Sequence, residues 1–115
     1  MIRTILICMT LATPAMAQGF DRVSEREAFV GLIAGKSLKR FGVTLEVSPG
    51  GGITGSAFGQ PVTGAWRWRD GLFCRDLFFG ARDLGPNCQV VALKGSTLRF
   101  IADEGAGDHA DLRIE

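Results

Sequence analysis

Ser48-Pro49-Gly50-Gly51-Gly52-Ile53-Thr54-Gly55 contains, from Gly50 to Gly55, a literal G-x-G-x-x-G. Two architectures compete for it. In a dinucleotide site such glycines turn a parallel strand directly into a helix whose N-terminus faces the pyrophosphate. Here Val43-Thr44-Leu45-Glu46-Val47 alternates apolar and polar before the glycines, and Ile53-Thr54-Gly55-Ser56-Ala57-Phe58 keeps strand-like alternation after them. Gly55, Gly59 and Pro61 deny a helix any start there. Pro49 followed by Gly50 is a turn signature, because proline presets its own φ and glycine accepts the positive φ that follows. The stretch therefore predicts a hairpin between two antiparallel strands, with no nucleotide cofactor.

The same period of two recurs outward from this hairpin. Val62 to Arg69, Leu72 to Phe79, Cys88 to Leu93, Thr97 to Ala102 and Asp111 to Ile114 read as strands separated by Gly, Pro, Asn and Asp clusters. Spacings of about ten residues leave no room for crossover helices. The expected fold is mainly β: a small antiparallel β-barrel or strongly curved meander sheet with one N-terminal helix packed on it. That helix is Val23 to Gly35, with Ser24 as cap, Glu27 reaching back to it, and Gly35 taking the left-handed exit. Its apolar face is Ala28, Phe29, Leu32 and Ile33. Gly31-Leu32-Ile33-Ala34-Gly35-Lys36-Ser37 imitates a phosphate-binding loop, but three residues rather than four separate its glycines and it ends a helix instead of starting one.

Ala65-Trp66-Arg67-Trp68-Arg69-Asp70-Gly71-Leu72-Phe73-Cys74-Arg75-Asp76 is a second hairpin, and its loop length decides which side chains share a face. A two-residue turn pairs Trp68 with Phe73 and Trp66 with Arg75, setting an arginine beside the tryptophans. A three-residue loop with Gly71 as a left-handed bulge pairs Trp68 with Leu72 and Trp66 with Cys74. The second register is preferred, because it gathers the tryptophans, Leu72 and the cysteine in the core. Asp76 then points inward, where a carboxylate is costly without partners. It either turns out at a kink, or is held by an arginine such as Arg82, or lines a pocket with Trp66 and Trp68. That last arrangement makes Trp66, Trp68 and Asp76 the candidate ligand-binding residues. Alternation of Trp inward and Arg outward accounts for Trp66-Arg67-Trp68-Arg69 without single-stranded nucleic acid.

The chain opens with Arg3, an apolar run Ile5 to Leu11, and Ala15-Met16-Ala17. This is the pattern of a secretory signal peptide over residues 1–17, too short for a retained anchor helix. Residues 18–115 are then one small β domain, periplasmic or secreted, with no membrane span. Loss of Arg3 leaves 12 Lys plus Arg against 12 Asp plus Glu, so no global charge attracts nucleic acid or an anionic membrane. Cys8 leaves as well, and Cys74 and Cys88 are expected to pair in an oxidising compartment. With 13 residues between them, loop-closure entropy gives the bridge roughly 3 kcal/mol. A metal site would need those two thiols, the lone His109 and a fourth ligand, in a spacing unlike common zinc patterns.

Residues suited to covalent chemistry are few. The chain has one histidine and no tyrosine, and a Ser, His, Asp relay would depend on His109 in a glycine-rich loop with no nucleophile elbow around any serine. Asp103, Glu104, Asp108 and Asp111 of that loop match neither of the common calcium-loop spacings. No catalytic residue is assigned.

The run Ala57-Phe58-Gly59-Gln60-Pro61-Val62-Thr63-Gly64-Ala65-Trp66, then Asp70-Gly71-Leu72-Phe73-Cys74-Arg75 and Asn87-Cys88, resembles a group of small exported alphaproteobacterial proteins, some labelled dihydrodipicolinate reductase. That resemblance implies an NAD(P)H-dependent reductase with a dinucleotide-binding domain and a histidine and lysine motif. The residue-level reading favours instead a non-enzymatic binding domain, for a small ligand or an envelope protein, with inhibition of that protein as one form. The alternative is an enzyme, either that reductase or a hydrolase with an unrecognised site.

Overall fold

The computed structural model describes residues 19–115. The expected signal peptide, residues 1–17, lies outside them. The described residues form β1 (Asp21–Val23), α1 (Arg26–Ile33), β2 (Leu38–Arg40), β3 (Val43–Val47), β4 (Gly52–Ala57), β5 (Gln60–Arg69), β6 (Leu72–Phe79), β7 (Arg82–Asp83), β8 (Asn87–Lys94), β9 (Thr97–Ile101), a 3₁₀ turn (Asp103–Gly105) and β10 (His109–Ile114).

Eight of the strands close an antiparallel barrel in the order β8-β9-β10-β2-β3-β4-β5-β6, with β6 returning to β8. Short β1 and β7 extend the free margins of β8 and β6. The opening stretch resolves as a hairpin: Val47 pairs with Ile53 across a loop in which the Ser48 hydroxyl accepts the Gly52 N–H at 3.0 Å. Gly51, at φ 105°, turns the chain without a Cβ penalty. β4 starts at Gly52, so strand, not helix, follows the glycines. Every ladder among the described residues is antiparallel, so they hold no βαβ unit.

The two ends of the barrel differ. At the first end α1 lies over the opening and inserts Phe29 and Ile33, both essentially inaccessible. The Phe29 ring sits 5.2–5.3 Å from Trp66, Trp68 and Phe73. Each indole keeps its polar edge satisfied: Trp66 Nε1 donates to the Ser48 carbonyl at 2.8 Å and Trp68 Nε1 to the Ser24 carbonyl at 3.1 Å. The opposite end carries the β2–β3, β4–β5 and β6–β7 turns and the loop 102–108, and no element among the described residues covers it.

Three sequence readings are corrected. The helix is shorter than Val23 to Gly35, because Val23 belongs to β1, paired with β8, and Ser24 makes no side-chain cap. Within it Ala28 is exposed, leaving Phe29 and Ile33 as the buried face. The Asp70-Gly71 turn is the two-residue kind, with φ of 53° and 75°, and pairs Trp66 with Arg75 and Trp68 with Phe73. Positive φ at both positions is the turn whose twist matches the flanking strands. Cys74 therefore faces outward with Arg67 and Asp76, on the side of the sheet away from the tryptophans. It pairs there with Cys88 as a disulfide between directly opposed residues of β6 and β8, Cα atoms 3.9 Å apart.

Outward faces carry Lys39, Glu46, Thr54, Ser56, Arg67, Asp111 and Arg113, while the buried core is apolar. That is the reverse of a lipid-embedded barrel. No helix among the described residues is long and apolar enough to cross a membrane.

Candidate functional site

The uncovered end opens into a cavity of about 300 Å³ inside the barrel, at the small end of the range for ligand sites. Strand alternation builds it. Leu38, Leu45, Phe73, Leu77, Phe100 and Leu112 point inward and make an apolar wall. The floor is the aromatic layer under α1, to which Phe73 and Phe100 belong, with ring centroids 5.2 Å apart.

Four polar residues reach this apolar space: Arg75, Gln89, Asp108 and His109. Arg75 is there because of the hairpin register. Directly opposite Trp66, it must share the inward face, one step nearer the open end than Phe73. Its guanidinium Nη1 donates to the Gly85 carbonyl at 2.7 Å, which ties the loop between β7 and β8 to the mouth. An arginine has five N–H donors. Among the described residues no carboxylate lies within salt-bridge distance of it. Burial pulls its pKa below the ordinary value, with the charge of neighbouring Asp76 opposing. The group still stays protonated at physiological pH, so the cavity holds a cation whose one hydrogen bond among the described residues is to a backbone carbonyl and whose charge Asp76 balances from the outer face without an ion pair.

The mouth is braced on its other side by the loop 102–108. Asn87 Nδ2 donates to Asp103 Oδ1 at 2.8 Å, and the Asp103 N–H donates to Asn87 Oδ1 at 3.0 Å. That carboxylate thus fixes the loop. His109 opens β10 opposite Ile101, exposed at the rim, and among the described residues no hydroxyl or carboxylate hydrogen-bonds it. Nothing there forms the relay that an acyl-transfer site needs. No group of three or more His, Cys, Asp or Glu side chains suited to a metal ion occurs among the described residues.

The expected site residues fall elsewhere. Trp66 and Trp68 lie under α1 at the closed end, and Asp76 is exposed on the outer face, so none of the three lines the cavity. Arg75, which occupies the inward place expected for its neighbour, was within reach of the sequence through the alternative register of the same hairpin. Gln89 and Phe100 gave no comparable sign, because their convergence depends on closure of β6 onto β8. Compared with protein-family models, with curated proteins and with solved structures, the chain matches none.

Proposed function

We propose that this is an exported, non-enzymatic binding domain whose barrel holds a small amphipathic acid, apolar body inside and anionic head on Arg75. The observation that carries the reading is the Arg75 guanidinium, in no ion pair among the described residues, at the mouth of a cavity whose wall is apolar and whose other polar residues are Gln89, Asp108 and His109. An anion placed there completes the hydrogen bonds that Gly85 alone leaves open, and a charge-assisted contact at the edge of a low-dielectric space is strong. At ~30 Å³ per water-sized unit, the space suits a ligand of about ten to fifteen non-hydrogen atoms. The apolar N-terminal run supports export, as does the Cys74–Cys88 disulfide, since such bonds persist in oxidising compartments.

The test uses protein expressed from the full-length sequence and recovered after export, its N-terminus read by mass spectrometry. Decanoate titrated calorimetrically should bind with a Kd of about 1–100 µM. Arg75→Gln should weaken decanoate at least tenfold, the cost of about 1.5–3 kcal/mol for a hydrogen bond to a charged group, and should leave decan-1-ol unaffected. Absence of decanoate binding at millimolar concentration, or equal binding by both proteins, would overturn the reading.

A further inference from the structure

The two ends of the barrel differ in their turn residues as well as in their cover. Turns at the helix-covered end are polar: Ser48 to Gly51, Asp70-Gly71 and Gly95-Ser96. At the open end the corresponding tips are Phe41-Gly42, Phe58-Gly59 and Gly80-Ala81. Phe41 is 92% exposed and Phe58 68%. The other exposed large hydrophobics among the described residues, Phe78 and Leu84, lie at the same end, at the close of β6 and on the loop after β7.

Phe58 is out of place by two independent criteria. Its φ is 49°, in the left-handed region where a bulky residue is an outlier and Asn, Asp or Gly the usual choice. The same turn type at the covered end uses Asp70. A large apolar ring on a solvent-facing tip also works against solubility. The Phe58 ring lies over Gly42, whose carbonyl accepts the Phe58 N–H at 2.8 Å. The two hairpin tips thus form one aromatic ridge beside the cavity mouth. The Gly80 N–H, bonded to the Pro61 carbonyl at 2.7 Å, brings the third tip alongside.

Charge is arranged around this ridge. Exposed Arg40 and Arg82 flank the three tips; of the carboxylates near them, Asp83 accepts the Gly85 N–H, and Asp111, whose charge interacts with Arg40, is already held by Arg99. Asp103, Glu104 and Asp108 gather across the mouth on the loop 102–108. The face is therefore aromatic and cationic on one half and acidic on the other, a division invisible in the balanced overall charge.

We propose that the open end docks on an anionic lipid bilayer, Phe41 and Phe58 entering the headgroup layer while Arg40 and Arg82 meet lipid phosphates. An exposed aromatic ridge suits a deformable interface, and cations flanking aromatics are the usual pattern of interfacial anchors. A second copy is a poorer occupant, because an isologous contact through these tips sets Arg40 and Arg82 of one molecule against the same cations of the other. The acidic loop remains on the aqueous side of the tilted barrel. Docking so placed would bring the cavity mouth to the membrane surface, although it stands on the tips alone and not on the cavity's contents.

The experiment is co-sedimentation of the exported protein with vesicles of phosphatidylcholine and phosphatidylglycerol, 70:30, against pure phosphatidylcholine. Partition onto the anionic vesicles is expected, lowered at least tenfold in a Phe41→Ser, Phe58→Asn double variant. Arg40→Gln with Arg82→Gln should lower it several-fold on anionic vesicles only. Asn accepts a left-handed φ, so Phe58→Asn alone should melt within about 4 °C of the parent or above it. A much lower melting temperature would assign the ring to packing on Gly42 and overturn the proposal. So would protein left in the supernatant at millimolar lipid, equal binding by the double variant, or a dimer that the double variant abolishes. Decanoate affinity, read separately, distinguishes failure here from failure of the cavity reading.

Discussion

Arg99 and Asp111 face each other across β9 and β10 as a two-pronged pair, Nε to Oδ1 at 2.8 Å and Nη2 to Oδ2 at 3.0 Å. The Arg99 guanidinium also stands 4.0 Å from the centre of the Phe20 ring, which fixes it from the other side. The hydrogen bond from Arg99 holds the Asp111 carboxyl below its ordinary pKa. An unfolded chain then binds the proton more readily than the folded one. The stabilisation is present above the unfolded value near 4 and is lost as pH falls through the lower folded value. With the carboxylate side chain 37% exposed, solvent screening limits the pair to about 1 kcal/mol. Asp111→Asn should accordingly lower the urea midpoint at pH 7 and match the parent at pH 2. A gap of the same size at both pH values would mean that the lost contribution is not this ion pair. In the sequence Asp111 stood out only as one of four acids in a loop, because a cross-strand partner is defined by register rather than by spacing along the chain.

Strands with long, regular alternation were legible with little error: Val43–Val47 and Leu72–Phe79 have the bounds their sequence predicts. Short β1, β2 and β7 were not, since two or three residues contain too little pattern to distinguish strand from connection. The hairpin at Asp70-Gly71 shows where sequence reasoning misleads. Seeking burial for the cysteines and tryptophans together favours the three-residue loop, but Cys74 becomes inaccessible on the outer face by pairing with Cys88, so no such compromise is needed. The same register brings Gly64 opposite Leu77. A Cβ at Gly64 would penetrate the Asp76 carbonyl oxygen on the adjacent strand, which makes the glycine a requirement of how closely β5 and β6 approach. Gly64→Ala should therefore destabilise the domain by about 1–3 kcal/mol in urea unfolding, the usual cost of overpacking. An unchanged midpoint would show that the two strands can separate freely at this point.

At the scale of the molecule, the barrel stays closed through a narrow seam. β6 meets β8 over three register pairs, Phe73 with Gln89, Cys74 with Cys88 and Arg75 with Asn87. The disulfide occupies the middle pair. Its first neighbour along the seam contributes Phe73 and Gln89 to the cavity wall. Its second contributes Arg75 at the mouth and Asn87, which holds Asp103. An antiparallel seam this short has few ladder bonds to resist opening, so the covalent link both stabilises the fold and keeps the cavity's polar edge in place. With a loop-closure value of roughly 3 kcal/mol and about 4–8 °C per kcal/mol for a domain of this size, reduction should lower the melting temperature by roughly 12–24 °C. Decanoate binding should weaken along with it at temperatures where the reduced protein is still folded by circular dichroism, because the seam opens locally before the barrel unfolds. Cys74→Ser with Cys88→Ser should reproduce both effects without reductant. A reduced protein that melts with the oxidised one would show that the strands alone close the barrel. One that melts lower but binds decanoate equally well would place Arg75 beyond the influence of the seam.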